Sequence, residues 1–366
     1  MNPKYSPLFQ KYTLNNGVEI KNRLVIAPLT HFCSNDVDGS LTDEERLFLS
    51  NRAGDIGMFI LAATLVSENG KAFKGQPEAL YASQIPQLKE RAEIIKKQGA
   101  MAILQIHHGG KLAIAELLKG KDKIAPSADE ETKSRAATVQ EINEIIKGFA
   151  NAADLAIQAG YDGVEIHGAN RYLIQQFYSG HSNRREDEWG GSREKRMKFP
   201  LAIVDAVNEV KEKSGKKEFI VGYRFSPEEP EELGLTMEDT FALIDVLKDK
   251  PLQYLHVSLH DFYKHPHRGA DTTLTRIQLI HERIGGKMPL IGVGNLYSAD
   301  QILEAYQTGW AEFIALGRTA MINPTIATLI KNGKENEIVT ELDPDKADKY
   351  GIPSFLWSLC LKNSGG

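Results

Sequence analysis

Residues 141–167 read EINEIIKGFANAADLAIQAGYDGVEIH. Within them Glu141–Ala159 places Ile142, Ile145, Ile146, Phe149, Ala153, Leu155 and Ala156 largely on one helical face. The short apolar run Val164–His167 follows at once. Runs of the same kind recur at Leu24–Leu29, Met58–Ala63, Ala102–Ile106, Phe219–Phe225, Tyr254–Leu259, Pro289–Val293 and Phe313–Leu316. Most are near-continuous rather than alternating, which is how a parallel strand buried on both faces reads. Helical patterns lie between them. Thr236 opens one as an N-cap with Asp239 three residues on, and Ser298 caps another. Eight strands alternating with helices predict an α/β chain folded as a single (β/α)8 TIM barrel.

Such a barrel needs about 250 residues, and this chain has 366. The surplus falls mainly in Gly109–Ala137, after the third run, and Gly168–Ser192, after the fourth. Both insertions are polar and turn-rich, and both follow the strand ends where barrel enzymes build active sites. Neither end of the chain suggests a second folded domain, so one domain is expected over 1–366, with its core at about 22–330. The rival fold, an open doubly wound sheet, predicts a Gly-x-Gly-x-x-Gly turn after an early strand. The early strand ends read Ala27-Pro-Leu-Thr and Ala63-Thr-Leu-Val instead.

Composition excludes several classes. The net charge of −5 comes from mixed acids and bases, which leaves no electrostatic footprint for nucleic acid. The cysteines, Cys33 and Cys360, form no metal-ligand spacing and no disulfide framework. No apolar run is long enough for a bilayer, and the opening residues are not of signal-peptide type. A reducing, cytoplasmic setting is expected, with a small molecule as the partner and neither membrane nor nucleic acid.

Two strand ends carry a phosphate signal. Ile291-Gly-Val-Gly-Asn follows strand seven, and Leu316-Gly-Arg-Thr-Ala follows strand eight into a helix. Glycines let backbone N–H groups approach an anion, a helix N-terminus favours it, and Arg318 adds a guanidinium. The plain alternative is that the glycines only make tight turns. At the fourth strand end His167-Gly-Ala-Asn-Arg-Tyr gathers an imidazole, an amide and a phenol. His167 and Asn170 have the chemistry to stabilise negative charge on one substrate oxygen, and Tyr172 to deliver a proton. Alone, this stretch is equally compatible with a structural histidine and a core tyrosine.

Taken in order, Asn22-Arg-Leu-Val-Ile-Ala-Pro-Leu-Thr, Gln105-Ile-His-His-Gly-Gly-Lys, Val164-Glu-Ile-His-Gly-Ala-Asn-Arg-Tyr-Leu-Ile-Gln-Gln-Phe, Asn183-Arg-Arg-Glu-Asp-Glu-Trp-Gly-Gly-Ser and Leu316-Gly-Arg resemble the old yellow enzyme family. The resemblance covers roughly residues 5–330. It implies non-covalent FMN at the barrel mouth and NADH or NADPH as hydride donor. It further implies that Ala27, Pro28, Leu29 and Thr30 lie against the flavin ring, that Ala63 packs beside it, and that Gln105 reads its pyrimidine edge. Arg224 would face the charge of reduced flavin, and Gly294, Gly317 and Arg318 would hold the phosphate. His167 and Asn170 would grip the substrate oxygen, with Tyr172 as proton donor in the reduction of α,β-unsaturated carbonyl compounds.

Three positions depart from the family pattern. Arg171 replaces the usual glycine, either narrowing the pocket, attracting an anionic substrate or turning to solvent. Lys111 replaces an arginine, and Phe32 stands where some relatives carry tyrosine. The histidines at 107–108 and at 256, 260, 265 and 267 match no strong ligand motif, so no metal is expected. Loop 260–267 reads as a lid after strand six. An iron–sulfur cluster and a second flavin domain, which some longer relatives carry, are not expected. No arginine-rich C-terminal tail stands out, so oligomeric state stays open, a homo-oligomer included. Two rival functions remain: an NADH oxidase or flavin reductase, and a non-redox phosphate-binding barrel lyase or isomerase.

Overall fold

The computed structural model describes residues 1–363, so the last three residues of the expected domain lie outside it. Eight parallel strands close a barrel: β1 Leu24–Ile26, β2 Met58–Ile60, β3 Met101–His107, β4 Gly163–Gly168, β5 Ile220–Phe225, β6 Tyr254–Val257, β7 Leu290–Gly292 and β8 Phe313–Leu316. Closure runs through β8 beside β1 and β2 beside β3. Every predicted run contributes one strand.

The near-continuous apolar runs resolve into two faces. Val25, Met58, Ile60, Ile103, Ile220, Tyr254, Ile291, Phe313 and Ala315 point inward and pack together inside the barrel. Their neighbours, among them Leu24, Ile26, Phe59, Ala102, Leu104, Val164, Val221, Leu255 and Ile314, point outward against the helices. Period-two alternation is present, but both faces are apolar, so it is invisible to a polarity pattern. The inward faces of β3 to β6 turn polar higher up, at Gln105, Glu165, Arg224 and His256. The inside of the barrel is therefore a packed floor with a polar storey above it.

The helices start where capping chemistry predicts. α3 (Val139–Gln158) begins at Thr138, whose side chain accepts from Glu141 N while Glu141 answers in a capping box. α6 (Met237–Leu247) and α8 (Ala299–Gln307) begin with boxes at Thr236 with Asp239 and Ser298 with Gln301. Some boundaries differ from expectation. β1, β2, β6 and β7 stop two or three residues early, or one in the case of β7. At β1 the reason is Pro28, which has no N–H to give the ladder. These early stops release Ala27-Pro-Leu-Thr and Ala63 from the sheet into the barrel mouth. A floor hairpin, Tyr12–Thr13 with Glu19–Ile20, seals the other end. Among the described residues, no helix is long and apolar enough to cross a membrane.

Both insertions fold over the C-terminal ends of the strands. The first carries a small pair, Ile124–Ala125 with Arg135–Ala136. The second carries the short helix α4, Leu173–Tyr178. The acidic-basic motif beginning at Asn183 stitches them together. Asn183 Nδ2 donates to Phe177 O and Trp189 O, and Arg185 donates to Pro126 O and Ala137 O. That motif is scaffolding.

Candidate active site

A cavity of about 210 Å³ opens at the ends of β1, β7 and β8. Ala27, Pro28 and Leu29 line one side, and Gly294, Gly317 and Arg318 the other, with Arg224 also reaching it. Seven of the residues singled out from the sequence thus share one cavity. Gly294 has φ +137°, and a Cβ there would lie 2.6 Å from Phe262 N and 2.7 Å from Asp261 C. Only glycine fits that crossing of two loops. Gly317 differs: a Cβ there meets no protein atom within 4 Å. No packing neighbour demands glycine at 317, and the open space beside it faces the cavity. Arg318 leans over the Tyr297 ring and donates to Asn295 Oδ1, which sets the guanidinium beside this space.

Deeper in the mouth lies the polar storey. Glu165 is fully buried. Its Oε1 accepts from Gln105 Nε2 at 2.8 Å, and its Oε2 from Tyr254 OH at 3.0 Å and His256 Nδ1 at 2.9 Å. Cross-strand register places Arg224 between His167 and His256. Arg224 Nε is buried without a partner, although a buried donor normally finds one.

A third group stands at the ends of β3 and β4. His167 Nδ1 accepts from Ala169 N at 3.2 Å, so in the neutral ring the proton sits on Nε2. His107 is fixed the same way by a relay. Gln76 Oε1 accepts from Ala72 N, while its Nε2 donates to Ala63 O and to His107 Nδ1. The amide cannot flip without losing two bonds, so His107 also carries its proton on Nε2, and that atom is buried without a partner. Burial pushes His107 down to about 3 and His167 well below the ordinary histidine value, the latter also beside His107 and Arg224. Both rings are neutral donors near pH 7. Tyr172 meets each edge-to-face, with centroids at 4.3 Å from His107 and 5.2 Å from His167. Burial raises the Tyr172 phenol, so it keeps its proton.

The turn from β4 into α4 is tied at several points. Leu173 N donates to His108 O, and Gln176 takes Lys111 N on Oε1 while its Nε2 donates to Gly109 O and Arg171 O. Asn170 is exposed and held by serines rather than by the rings. Its N donates to Ser226 Oγ, and its Oδ1 accepts from Ser258 Oγ at 2.7 Å. That leaves the amide N–H₂ as its free end. Asn170 and Arg171 both have left-handed φ, +57° and +64°, the region glycine takes without strain. Arg171 turns away to an ion pair with Glu231, which answers the choice between narrowing the pocket and leaving it. Lys111 pairs with Asp129 at 2.8 Å. Phe32 packs edge-on against Phe73 and Phe355. Thr30 is half-buried at the rim, and Ala63 is buried with its carbonyl on Gln76.

His107, Gln76 and Glu165 were not singled out by the sequence. His107 and His108 read as a pair, yet successive strand residues face opposite ways. His108 Nε2 bonds Asn69 Oδ1 at 2.9 Å. Parity with Gln105 was the signal that could have found His107. Other histidines also part company: His256 is inside the barrel, His260 lines the cavity at the ends of β1, β7 and β8, and His265 bonds Thr272 O.

These burials carry a pH consequence. Burial holds both His107 and His108 at about 3, against about 6.5 in an unfolded chain. Between those values the unfolded chain binds more protons, so stability falls as pH falls through that window and is unaffected above it. The cost is on the order of 1 kcal/mol per pH unit for each ring. The urea midpoint is expected to drop from pH 7.5 to pH 5, and to drop less in His107→Gln. An equal drop in that variant would contradict a neutral, buried His107.

Residues 7–337 match the model of the NADH:flavin oxidoreductase / NADH oxidase family. The chain is 46% identical over 368 residues to a probable NADH-dependent flavin oxidoreductase, YqiG, of Bacillus subtilis, covering all of this chain and 98% of that protein. It is 37% identical to an NADH:fumarate oxidoreductase of Klebsiella pneumoniae, of which it spans only 39%. Morphinone reductase superposes with a TM-score of 0.77 at 27% identity, over 92% of each chain. The chain belongs to the NADH:flavin oxidoreductase / NADH oxidase family, the old yellow enzyme family of FMN-dependent, NAD(P)H-using oxidoreductases.

Proposed function

We propose that this enzyme reduces activated C=C bonds, with α,β-unsaturated carbonyl compounds as its substrate class and Tyr172 as proton donor. The whole chain works, on this reading, as a single barrel domain acting on small molecules in the cytoplasm. The observation that carries it is the trio at the ends of β3 and β4: two neutral imidazoles with Nε2 protons and one protonated phenol in mutual ring contact.

The residues present fit FMN. Gly317 leaves room that no protein atom fills, Arg318 stands beside it, and Arg224 keeps a buried donor unpaired. Gly294, Gly317 and Arg318 would hold the phosphate. Ala27, Pro28, Leu29, Thr30, Ala63, Gln105 and Arg224 would surround the ring. The chemistry FMN supplies when bound is hydride transfer, from a reduced nicotinamide to the β-carbon of the alkene. The protein's own work is to stabilise negative charge and to deliver a proton. His167 Nε2–H and the Asn170 amide donate to the substrate oxygen, where negative charge develops. Tyr172 O–H protonates the α-carbon. Because His167 is neutral, it polarises the oxygen without competing for the proton.

NADH consumption with 2-cyclohexenone, under nitrogen and in air, tests the reading. Stoichiometric cyclohexanone under nitrogen is expected. Turnover only in air, with peroxide as product, would replace it by an oxidase. His167→Ala is expected to weaken binding of phenols, followed by their perturbation of flavin absorbance, by about tenfold. Unchanged phenol affinity would remove His167 from the oxygen site.

A further inference from the structure

We infer that Glu165, inside the barrel, tunes the bound flavin: its negative charge opposes that of Arg224 and lowers the flavin's electron affinity. The inference rests on the proposed placement of FMN against Arg224.

Three strands are built to hold this carboxylate. Glu165 on β4 faces Gln105 on β3 and Gly222 on β5, and Gly222 in turn faces Tyr254 on β6. A Cβ at 222 would fall 2.1 Å from Tyr254 Cζ. The missing side chain is what lets the Tyr254 ring cross β5 and bring its hydroxyl to Glu165 Oε2. His256 Nδ1 donates to the same oxygen and Gln105 Nε2 to the other. A carboxylate with three donors and no water contact is committed to its charge. Burial alone would raise its proton affinity. His256, Arg224 and Gln105 outweigh that and keep it below the ordinary glutamate range. His256 is pushed down by burial against the opposing pull of Glu165.

The barrel interior therefore holds one negative charge, on Glu165, below one positive charge, on Arg224. The guanidinium is left with a buried Nε that has no partner. It is free for a ligand, yet the carboxylate field reaches it across the low-dielectric core. Reduction adds negative charge at the mouth. Arg224 favours that addition and Glu165 opposes it. Glu165 also takes one Gln105 N–H, which fixes the amide so that its Oε1 stays available to the mouth. A purely structural Glu165 would leave the reduction equilibrium untouched.

The test is the midpoint potential of the FMN-loaded enzyme, measured for wild type, Arg224→Gln, Glu165→Gln and the double variant. Arg224→Gln is expected to make reduction harder. Glu165→Gln is expected to make it easier by about tenfold in the equilibrium, which is ~30 mV for a two-electron couple. Should Glu165→Gln alone fail to fold, the double variant removes both buried charges and carries the comparison. Its potential should lie above that of Arg224→Gln by a similar factor. A double variant with the potential of Arg224→Gln overturns the role of Glu165 while leaving the flavin site intact. An Arg224→Gln enzyme with the wild-type potential overturns the placement of FMN beside Arg224, and this inference falls with it.

Discussion

Tyr172→Phe is expected to slow alkene reduction by about 100-fold or more while flavin reduction by NADH stays within about twofold. The two half-reactions separate because the substitution removes one atom. The ring keeps its edge-to-face contacts with His107 and His167, and the turn into α4 is held by backbone bonds at Tyr172 and Leu173. Only the protonated hydroxyl is lost. Hydride delivery from a nicotinamide needs no such proton, whereas saturation of an alkene does. Rapid mixing of oxidised enzyme with NADH, and of reduced enzyme with 2-cyclohexenone, measures the halves apart. Equal losses in both would mean that the phenol shapes the pocket instead of donating. A normal alkene rate would pass the proton to solvent, or to a donor such as His107 Nε2–H.

Much of this site is legible in the sequence, and the limits of that legibility are physical. The strands announce themselves because each is buried on both faces. The glycines at 294 and 317 stand out because both follow strands at the end of the barrel where phosphates commonly bind. Tyr172 and His167 fall together because six residues at one strand end cannot lie far apart. Partners across strands are different. Glu165 looks like any charged residue until register sets it between Gln105 and Tyr254. Gln76 lies thirty-one residues from His107 and reaches it only because the segment after β2 folds back over the mouth. Arg171 is instructive in the other direction. Its sequence position raised the question of a blocked pocket, and only the loop after β5, carrying Glu231, answers it. Asn170 is also less simply placed than its motif implies. Ser258 takes its carbonyl oxygen, and this bond, which the motif does not contain, leaves the amide N–H₂ as the end able to donate.

The two glycines of the cavity at the ends of β1, β7 and β8 should fail in different ways, and the difference tests the proposed phosphate position. Gly294→Ala forces a Cβ against the backbone of Asp261 and Phe262. Backbone atoms cannot swing aside, and Phe262 N donates to Gly294 O at 3.2 Å, so the two loops must separate. With the added strain of positive φ the expected loss is about 2–4 kcal/mol of stability, together with most of the flavin. Gly191→Ala is the control: φ is also positive, +93°, but the nearest neighbour of its Cβ, Arg185 O, is 3.9 Å away. It should lose only about 1–2 kcal/mol and keep its flavin. Gly317→Ala meets no protein atom. Its unfolding midpoint after flavin removal should match wild type, while FMN binds about tenfold more weakly, because the new methyl group occupies the space beside Arg318 proposed for the phosphate. Normal FMN affinity in Gly317→Ala would move the phosphate elsewhere in the mouth. A collapse of the flavin-free protein would mean that the glycine serves the chain after all. Loss of affinity without loss of stability is the result that assigns the bare backbone at 317 to the cofactor.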